Sequence, residues 1–253
     1  MRVHHLNCGT IRTPGLRLVT HVLLLETGGG LVLVDSGIGL ADIADPRRRI
    51  GPYRHIARPA LDPAEAAIHR IRELGHDPAD VRDIVVTHLD FDHIGGAADF
   101  PAARVHLTAD EWSAANTRRS LLERGRYHPA AWNHEPRVVT YDTAGDTWRG
   151  FAVTPLDGVD DVALIPLPGH TRGHAAVAVN TGERWILHAG DAFYHRNVLS
   201  GGREPVLSRL QERMVAHDWT RVKANHAALA AVDDPDVLVV NAHDPVLLET
   251  AAA

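Results

Sequence analysis

The feature that most constrains this chain is a run of metal-ligand side chains directly after a short apolar stretch, 83–87. His88, Asp90 and Asp92 stand at positions i, i+2 and i+4, so in an extended chain the three side chains point to one side. His93 follows where the chain turns towards Gly95-Gly96 and approaches the same point from another direction. Histidine and aspartate at this spacing, directly after a buried strand, predict a metal site.

Three later residues of the same kind extend this prediction. Each follows an apolar stretch that reads as a strand, and the three are His174, Asp191 and His243. Polar side chains placed just past strands gather at one edge of an open α/β sheet. We therefore expect these three side chains to lie beside the first cluster.

Hydrophobic periodicity organises the whole chain, 1–253, as one α/β domain with strands and helices in both halves. Strands are predicted at 19–25, 31–34, 83–87, 103–107, 137–141, 151–154, 162–167, 175–179, 185–188 and 237–240. Helices are predicted at 62–74 and at about 205–225, with a polar loop at 88–96 and a helical lid insertion at 118–136.

Composition excludes several classes of protein. The formal net charge is −6, which argues against a partner held through a nucleic-acid backbone. Cys8 is the single cysteine, so an intramolecular disulfide and a cysteine-rich zinc finger are excluded. The chain shows neither the apolar core of a secretory leader nor a membrane-spanning run, so we expect a cytoplasmic protein without a membrane partner. The sequence does not indicate an oligomeric state.

These motifs resemble those of the metallo-β-lactamase fold superfamily, whose hydrolases carry His-x-His-x-Asp-His, then Gly-His-Thr-x-Gly-His, a Gly-Asp pair and a late histidine. The matching segments here begin at His88, Gly169, Gly190 and His243, and the resemblance extends back to the turn at Asp35. It implies a four-layer αβ/βα sandwich with the metal site between two mixed β-sheets.

The resemblance also implies two divalent metal ions and assigns the residues that bind them. For the first metal these residues are His88, Asp90 and His174. For the second metal they are Asp92, His93 and His243, with Asp191 bridging both ions. Asp35 would then orient one of the ligands through a hydrogen bond.

Asp90 departs from the family pattern, which usually has histidine at this position. Carboxylates ligate zinc, so we expect zinc first. The added negative charge and hardness also suit iron or manganese. A carboxylate stands at this position in the flavodiiron branch of the superfamily as well, although that branch carries a flavodoxin domain which this chain lacks.

The leading functional hypothesis is a metal-dependent hydrolase that attacks a lactone or similar ester with a metal-bound hydroxide. Asp92 would relay a proton. Tyr194, three residues after Asp191, resembles a tyrosine of the quorum-quenching lactonases that stabilises charge on the lactone. The alternatives are a thioester hydrolase of the glyoxalase II type, an iron-dependent redox enzyme, and a metal-free binding protein on the same fold. In the hydrolase hypotheses the partner is a small-molecule substrate.

Overall fold

The computed structural model of the chain describes residues 1–142 and 145–253. The strands within these ranges are β1 (Arg2–Ile11), β2 (Leu18–Thr27), β3 (Gly30–Val34), β4 (Val81–Val85), β5 (Arg104–Thr108), β6 (Arg137–Tyr141), β7 (Asp146–Trp148), β8 (Phe151–Leu156), β9 (Val159–Pro166), β10 (Ala175–Asn180), β11 (Trp185–His188) and β12 (Val237–Val240). The α-helices are α1 (Leu40–Ala44), α2 (Pro46–Arg49), α3 (Arg54–Ala57), α4 (Ala67–Glu73), α5 (Phe91–Ile94), α6 (Ala109–Thr117), α7 (Leu121–Arg126), α8 (Val206–Val215), α9 (Trp219–Ala230) and α10 (Pro245–Ala252).

The strands form two mixed sheets. The first has the order β1-β2-β3-β4-β5-β6, with antiparallel pairing from β1 to β3 and parallel pairing from β3 to β6. The second has the order β12-β11-β10-β9-β8-β7 and is antiparallel except for the pair β11–β12. Among the described residues, no helix is both long and apolar enough to cross a lipid bilayer.

The two sheets pack face to face, and helices cover their outer faces. In β2, Leu23 and Leu25 point into the core shared with the second sheet, whereas Val22 and Leu24 point to the other side, towards α4 and α6. Leu229 of α9 packs on the outer face of the second sheet. Because both faces of β2 are buried, its sequence is nearly continuously apolar instead of alternating. The predicted αβ/βα sandwich is confirmed.

The predicted helix at 62–74 is interrupted near its start. A 3₁₀ turn occupies Pro63–Glu65, Ala66 is extended (φ −60°, ψ 137°), and α4 begins only at the next residue. Asp62 caps the 3₁₀ turn by accepting a hydrogen bond from the Ala64 N–H. The hydrogen bond to Asp62 therefore caps only the short 3₁₀ turn. Helix α4, which packs on the first sheet, begins separately after Ala66.

The single helix predicted at about 205–225 is two helices, α8 and α9. Ala216 is extended (φ −65°, ψ 133°) and ends α8. Asp218 then starts α9 by accepting hydrogen bonds from the N–H groups of Thr220 and Arg221. The sequence prediction missed this break because Asp218 was read as part of a helix and not as an N-cap.

Two more differences lie near the metal-ligand cluster and at the sheet edges. The predicted loop at 88–96 contains α5, so Asp92 lies on a short helix instead of an extended segment, and His93 lies on the same helix. Strands β1 and β7 were not predicted, and β1 contains a bulge between Asn7 and Thr10 that breaks its alternation. Helix α7 and a 3₁₀ turn, Pro129–Trp132, lie within the predicted lid insertion.

Candidate metal centre

The candidate ligands come together where strands of both sheets end. His88 lies just after β4, Asp191 follows β11, and His243 follows β12. All three side chains are buried, with at most 3% of the residue exposed. The fold therefore collects ionisable groups from distant parts of the chain in one buried place, as the sequence predicts.

The first group of donor atoms lies around His88 and His170. The Nε2 of His88 lies 3.4 Å from the Oδ2 of Asp90 and 3.9 Å from the Oδ2 of Asp191. The Nε2 of His170 lies 3.2 Å from Asp90 Oδ2 and 3.4 Å from Asp191 Oδ2. Ligands about 2.0–2.2 Å from a tetrahedral metal ion are roughly 3.3–3.6 Å apart. His88, Asp90 and His170 each offer one donor atom within 4.8 Å of the others, and Asp191 forms a separate group of this kind with His88 and His93.

A second group of donor atoms adjoins the first. The Oδ2 of Asp92 lies 3.9 Å from the Nε2 of His93 and 3.7 Å from the Nε2 of His243. Asp191 closes this group, because its Oδ1 is 3.3 Å from His93 and its Oδ2 is 3.1 Å from His243. Asp191 therefore lies between the two groups, the position that the sequence predicts for a bridging ligand.

Several buried polar atoms in the two groups have no hydrogen-bond partner among the residues that the structure describes. These atoms are His88 Nε2, Asp90 Oδ1, His93 Nε2, His170 Nδ1 and Asp191 Oδ1. Leaving such atoms unpaired in a protein interior is costly. Imidazole and carboxylate atoms of this kind are the donors that divalent metal ions take, so the residues present would fit the metal ions that the fold family implies.

The structure brings His170, and not His174, into the first group. His174 has both ring nitrogens engaged: Nδ1 donates to the carbonyl oxygen of Leu167 (3.1 Å), and Nε2 accepts from the backbone N–H of Asp191 (3.0 Å). Burial lowers the pKa of His174 well below its ordinary value, which agrees with a neutral ring. His174 thus contacts the backbone of Asp191, and its assignment to the first metal stays a prediction, because the Nε2 of His170 is engaged as well, with Arg126 Nη1 2.9 Å away.

Asp35 lies under the site and holds His93 in one orientation. The Oδ2 of Asp35 accepts a hydrogen bond from His93 Nδ1 (2.8 Å), which turns Nε2 towards Asp191. The Oδ1 of Asp35 accepts from the backbone N–H of Thr87 (2.8 Å). A carboxylate on the far nitrogen of a ligand histidine fixes its tautomer and raises its basicity. This is the contact that the sequence prediction gave to Asp35.

Charges inside the site oppose the effect of burial. Burial lowers the pKa of His93, but Asp191 and Asp35 outweigh it and hold that pKa well above its ordinary value. Burial raises the pKa of Asp191, but His243 and His93 outweigh it and hold that pKa well below its ordinary value. Without metal, His93 and His243 thus form ion pairs with the carboxylates of the site, and metal binding would release protons from these two histidines.

Tyr194 lies against the candidate bridging residue. Its hydroxyl donates to the Oδ2 of Asp191 (3.0 Å), and its ring centroid is 5.0 Å from that of His243. Burial and the charge of Asp191 raise the pKa of Tyr194 well above its ordinary value, so the hydroxyl stays protonated. The phenol is therefore a hydrogen-bond donor at the site and not a base.

Sequence reasoning missed Arg126, which reaches the site from α7. Its Nη1 donates to Asp90 Oδ2 (2.9 Å) and lies 2.9 Å from His170 Nε2, and its Nη2 donates to the carbonyl oxygen of Val215. The side chain is 7% exposed. Because 36 residues separate Arg126 from Asp90 along the chain, no local pattern indicates this pairing.

A cavity of about 310 Å³ adjoins the centre. Asp90 and Arg126 are the charged residues of its lining. The other side chains that form its walls are mainly apolar and come from four segments: Ile50, Pro52, Tyr53, Ile56, Phe91, Leu121, Leu122, Met214 and Val215. Helices α7 and α8 face each other across this cavity, so an apolar group bound there lies next to the candidate ligands.

Buried histidine and aspartate donors at the strand ends of two packed β-sheets are typical of a metal-dependent hydrolase. The chain belongs to the metallo-beta-lactamase superfamily. The family model matches residues 15–243. A probable metallo-hydrolase of Mycobacterium tuberculosis is 50% identical over 99% of this chain and 83% of the relative. An N-acyl homoserine lactonase of Rhizobium radiobacter is 25% identical over 96% of this chain and 89% of the relative.

Solved structures show the same fold. A mutant of the Bacillus thuringiensis protein AiiA, with N-decanoyl-L-homoserine bound at its active site, has a TM-score of 0.75 at 17% identity. The match covers 98% of this chain and 95% of that chain. A second structure, an N-acyl homoserine lactone hydrolase with the product N-hexanoyl-L-homoserine at its catalytic metal centre, has a TM-score of 0.73 at 19% identity, with 98% and 95% covered.

Proposed function

We propose that this protein is a two-metal hydrolase that opens a lactone or similar ester carrying an apolar chain. The observation that carries the proposal is the pair of donor groups around Asp191, which contain unpartnered buried atoms at metal-ligand spacing. The ligands of the first metal in this proposal are His88, Asp90, His170 and Asp191. Those of the second are Asp92, His93, His243 and Asp191.

Two divalent ions held by these residues supply Lewis acidity and an activated water. The protein's own side chains do the rest. Tyr194, whose hydroxyl donates to Asp191 at 3.0 Å, would turn this donor towards the substrate carbonyl as charge develops there. Asp92 accepts and passes on a proton at its carboxylate. Asp35 keeps His93 oriented while this happens.

The apolar cavity beside Asp90 supports the substrate class. Its walls offer aliphatic side chains and few polar partners, which suits an acyl chain better than a sugar or a nucleotide. The lactonase relatives act on N-acyl homoserine lactones, according to their names. A thioester with a comparable chain fits the same walls, so the two ester types must be compared directly.

Zinc is our first choice of metal, with a specific observation in favour of iron or manganese. The first donor group contains two imidazoles and two carboxylates, because Asp90 replaces a nitrogen donor with an oxygen donor. Oxygen donors favour harder ions. Iron at this site would support the redox hypothesis over hydrolysis.

The test is metal analysis of protein purified without added metal or chelator, with the same batch assayed on lactones and thioesters of short and long acyl chains. We expect about two zinc ions per chain and faster turnover as the acyl chain lengthens. Iron without turnover, or turnover that ignores chain length, would contradict the proposal.

His88→Ala provides the matched loss-of-site variant, and His55→Ala provides its control, because His55 is exposed on α3. The first change removes a buried donor and should abolish turnover and lower the metal content. The second should leave both as in the unaltered protein. Equal effects from the two changes would show that the activity does not come from this centre.

A further inference from the structure

We propose that Arg126 is a positioning residue that makes Asp90 a usable ligand of the first metal. This inference rests on the metal centre of the proposed function. The superfamily pattern usually has a neutral imidazole where this chain has Asp90, so the donor groups here contain three carboxylates, those of Asp90, Asp92 and Asp191. The extra negative charge must be balanced inside a buried site.

Arg126 supplies that balance from the side of the lid. Its Nη1 is 2.9 Å from Asp90 Oδ2, and both side chains are largely buried, at 7% and 16% exposed. The other oxygen, Asp90 Oδ1, has no partner among the described residues and remains free to meet a metal ion.

The same guanidinium fastens the walls of the apolar cavity. Its Nη2 donates to the carbonyl oxygen of Val215 at the end of α8, while Arg126 itself ends α7. The side chain of Arg126 thus connects α7, the end of α8 and the first group of donor atoms. A lysine cannot reproduce this arrangement, because it lacks the planar fork of donors.

The pairing of Arg126 with Asp90 makes the effect of one substitution depend on the other. In the native background, Arg126→Gln leaves a buried carboxylate without its cation, so Asp90 is no longer held against the metal. In an Asp90→His background the imidazole needs no compensating charge. Arg126→Gln is then harmless or beneficial to metal binding, because the guanidinium would only repel the metal.

The experiment measures Zn²⁺ affinity by chelator competition and the number of Zn²⁺ ions retained per chain. It compares four proteins: the unaltered protein, Arg126→Gln, Asp90→His and the double variant. We expect Arg126→Gln to weaken the first-site affinity about tenfold or more in the native background, and not in the Asp90→His background. Arg124→Gln is the control, because Arg124 is exposed on the same helix and bonds only the Arg118 carbonyl oxygen among the described side-chain contacts.

Two further readouts separate a ligand-positioning role from a structural one. If Arg126 acted only by fastening α7 to α8, its loss would lower the melting temperature and raise KM equally in both backgrounds. Arg126→Lys keeps the charge and should retain part of the zinc affinity while weakening the contact with Val215. Equal losses in both backgrounds would overturn the inference, whereas absence of zinc from the unaltered protein would overturn the proposed function itself.

Discussion

At the scale of single residues, Asp191 connects the most parts of the site. Its two oxygens contact His93, His243 and Tyr194, and its backbone N–H bonds His174. Gly190 allows this approach, because it has φ +53° and a Cβ there would lie 2.7 Å from His174 Nε2. The geometry of one carboxylate is therefore set by neighbours on three segments that the sequence holds far apart.

The two histidines of one turn should respond differently to the same substitution. His170→Gln removes a donor of the first group, so we expect the loss of about one metal ion per chain. His174→Gln should keep the metal but lower the free energy of unfolding by about 1–3 kcal/mol, because a buried hydrogen-bond pair is disturbed. Metal analysis and chemical denaturation of both variants test this. Loss of metal from the His174 variant alone would restore the original assignment.

Tyr194→Phe removes the hydroxyl but keeps the ring, so it tests the contribution of the hydroxyl alone. The ring packs beside His243 and should stay in place, while the hydrogen bond to Asp191 disappears. We expect kcat to fall roughly 10- to 100-fold with little change in KM, because a donor aimed at developing charge acts mainly in the transition state. Steady-state kinetics with metal content measured in parallel provides the check. An unchanged kcat would remove Tyr194 from the mechanism.

At the scale of elements, the sequence predicts most strands of the sandwich but not the site's finer contacts. Apolar runs such as those of β2 and β10 are visible because both faces of these strands are buried. His170 and His174 are alike in the sequence, and only tertiary contacts, such as the bond from His174 to the Leu167 carbonyl oxygen, give the two rings different surroundings. The contacts of Arg126 cannot be predicted from the sequence for the same reason, because tertiary packing brings its partners to it.

Helix α8 carries a buried acid that makes stability depend on pH. Burial raises the pKa of Glu212 to about 7, although His226 lies 2.8 Å from its Oε1 and acts against this. The folded state thus binds this proton more tightly than the unfolded chain. The resulting stabilisation is fully present below pH 4.5, the ordinary pKa of the group, and is lost as the pH rises through about 7.

Glu212→Gln imitates the protonated side chain at every pH. We therefore expect the variant to be more stable than the unaltered protein at pH 8, by up to about 3 kcal/mol, and nearly equal to it at about pH 4.5. Urea denaturation of both proteins at the two pH values measures the difference. A constant gap between them would mean that the proton on Glu212 does not contribute to folding.

At the scale of the whole molecule, the metal centre joins the two halves of the sandwich. The candidate ligands of the second group come from α5, beside the first sheet, and from the turns after β11 and β12 of the second sheet. His243 also donates from Nδ1 to the carbonyl oxygen of Val19 in β2, which links the sheets directly. Metal binding and the packing of the sheets should therefore stabilise each other.

Removal of the metal should consequently lower the melting temperature. At a free metal concentration about 100 times Kd, each site adds about 2.7 kcal/mol to stability, so two sites add roughly 5 kcal/mol. For a chain of this size that corresponds to a shift of about 10–20 °C. Calorimetry of chelator-treated protein, with and without Zn²⁺ restored, measures this shift. Asp191→Asn is the control, because it weakens both donor groups and should make the melting temperature insensitive to zinc. If chelation leaves the melting temperature of the unaltered protein unchanged, the centre does not bind metal in the folded protein.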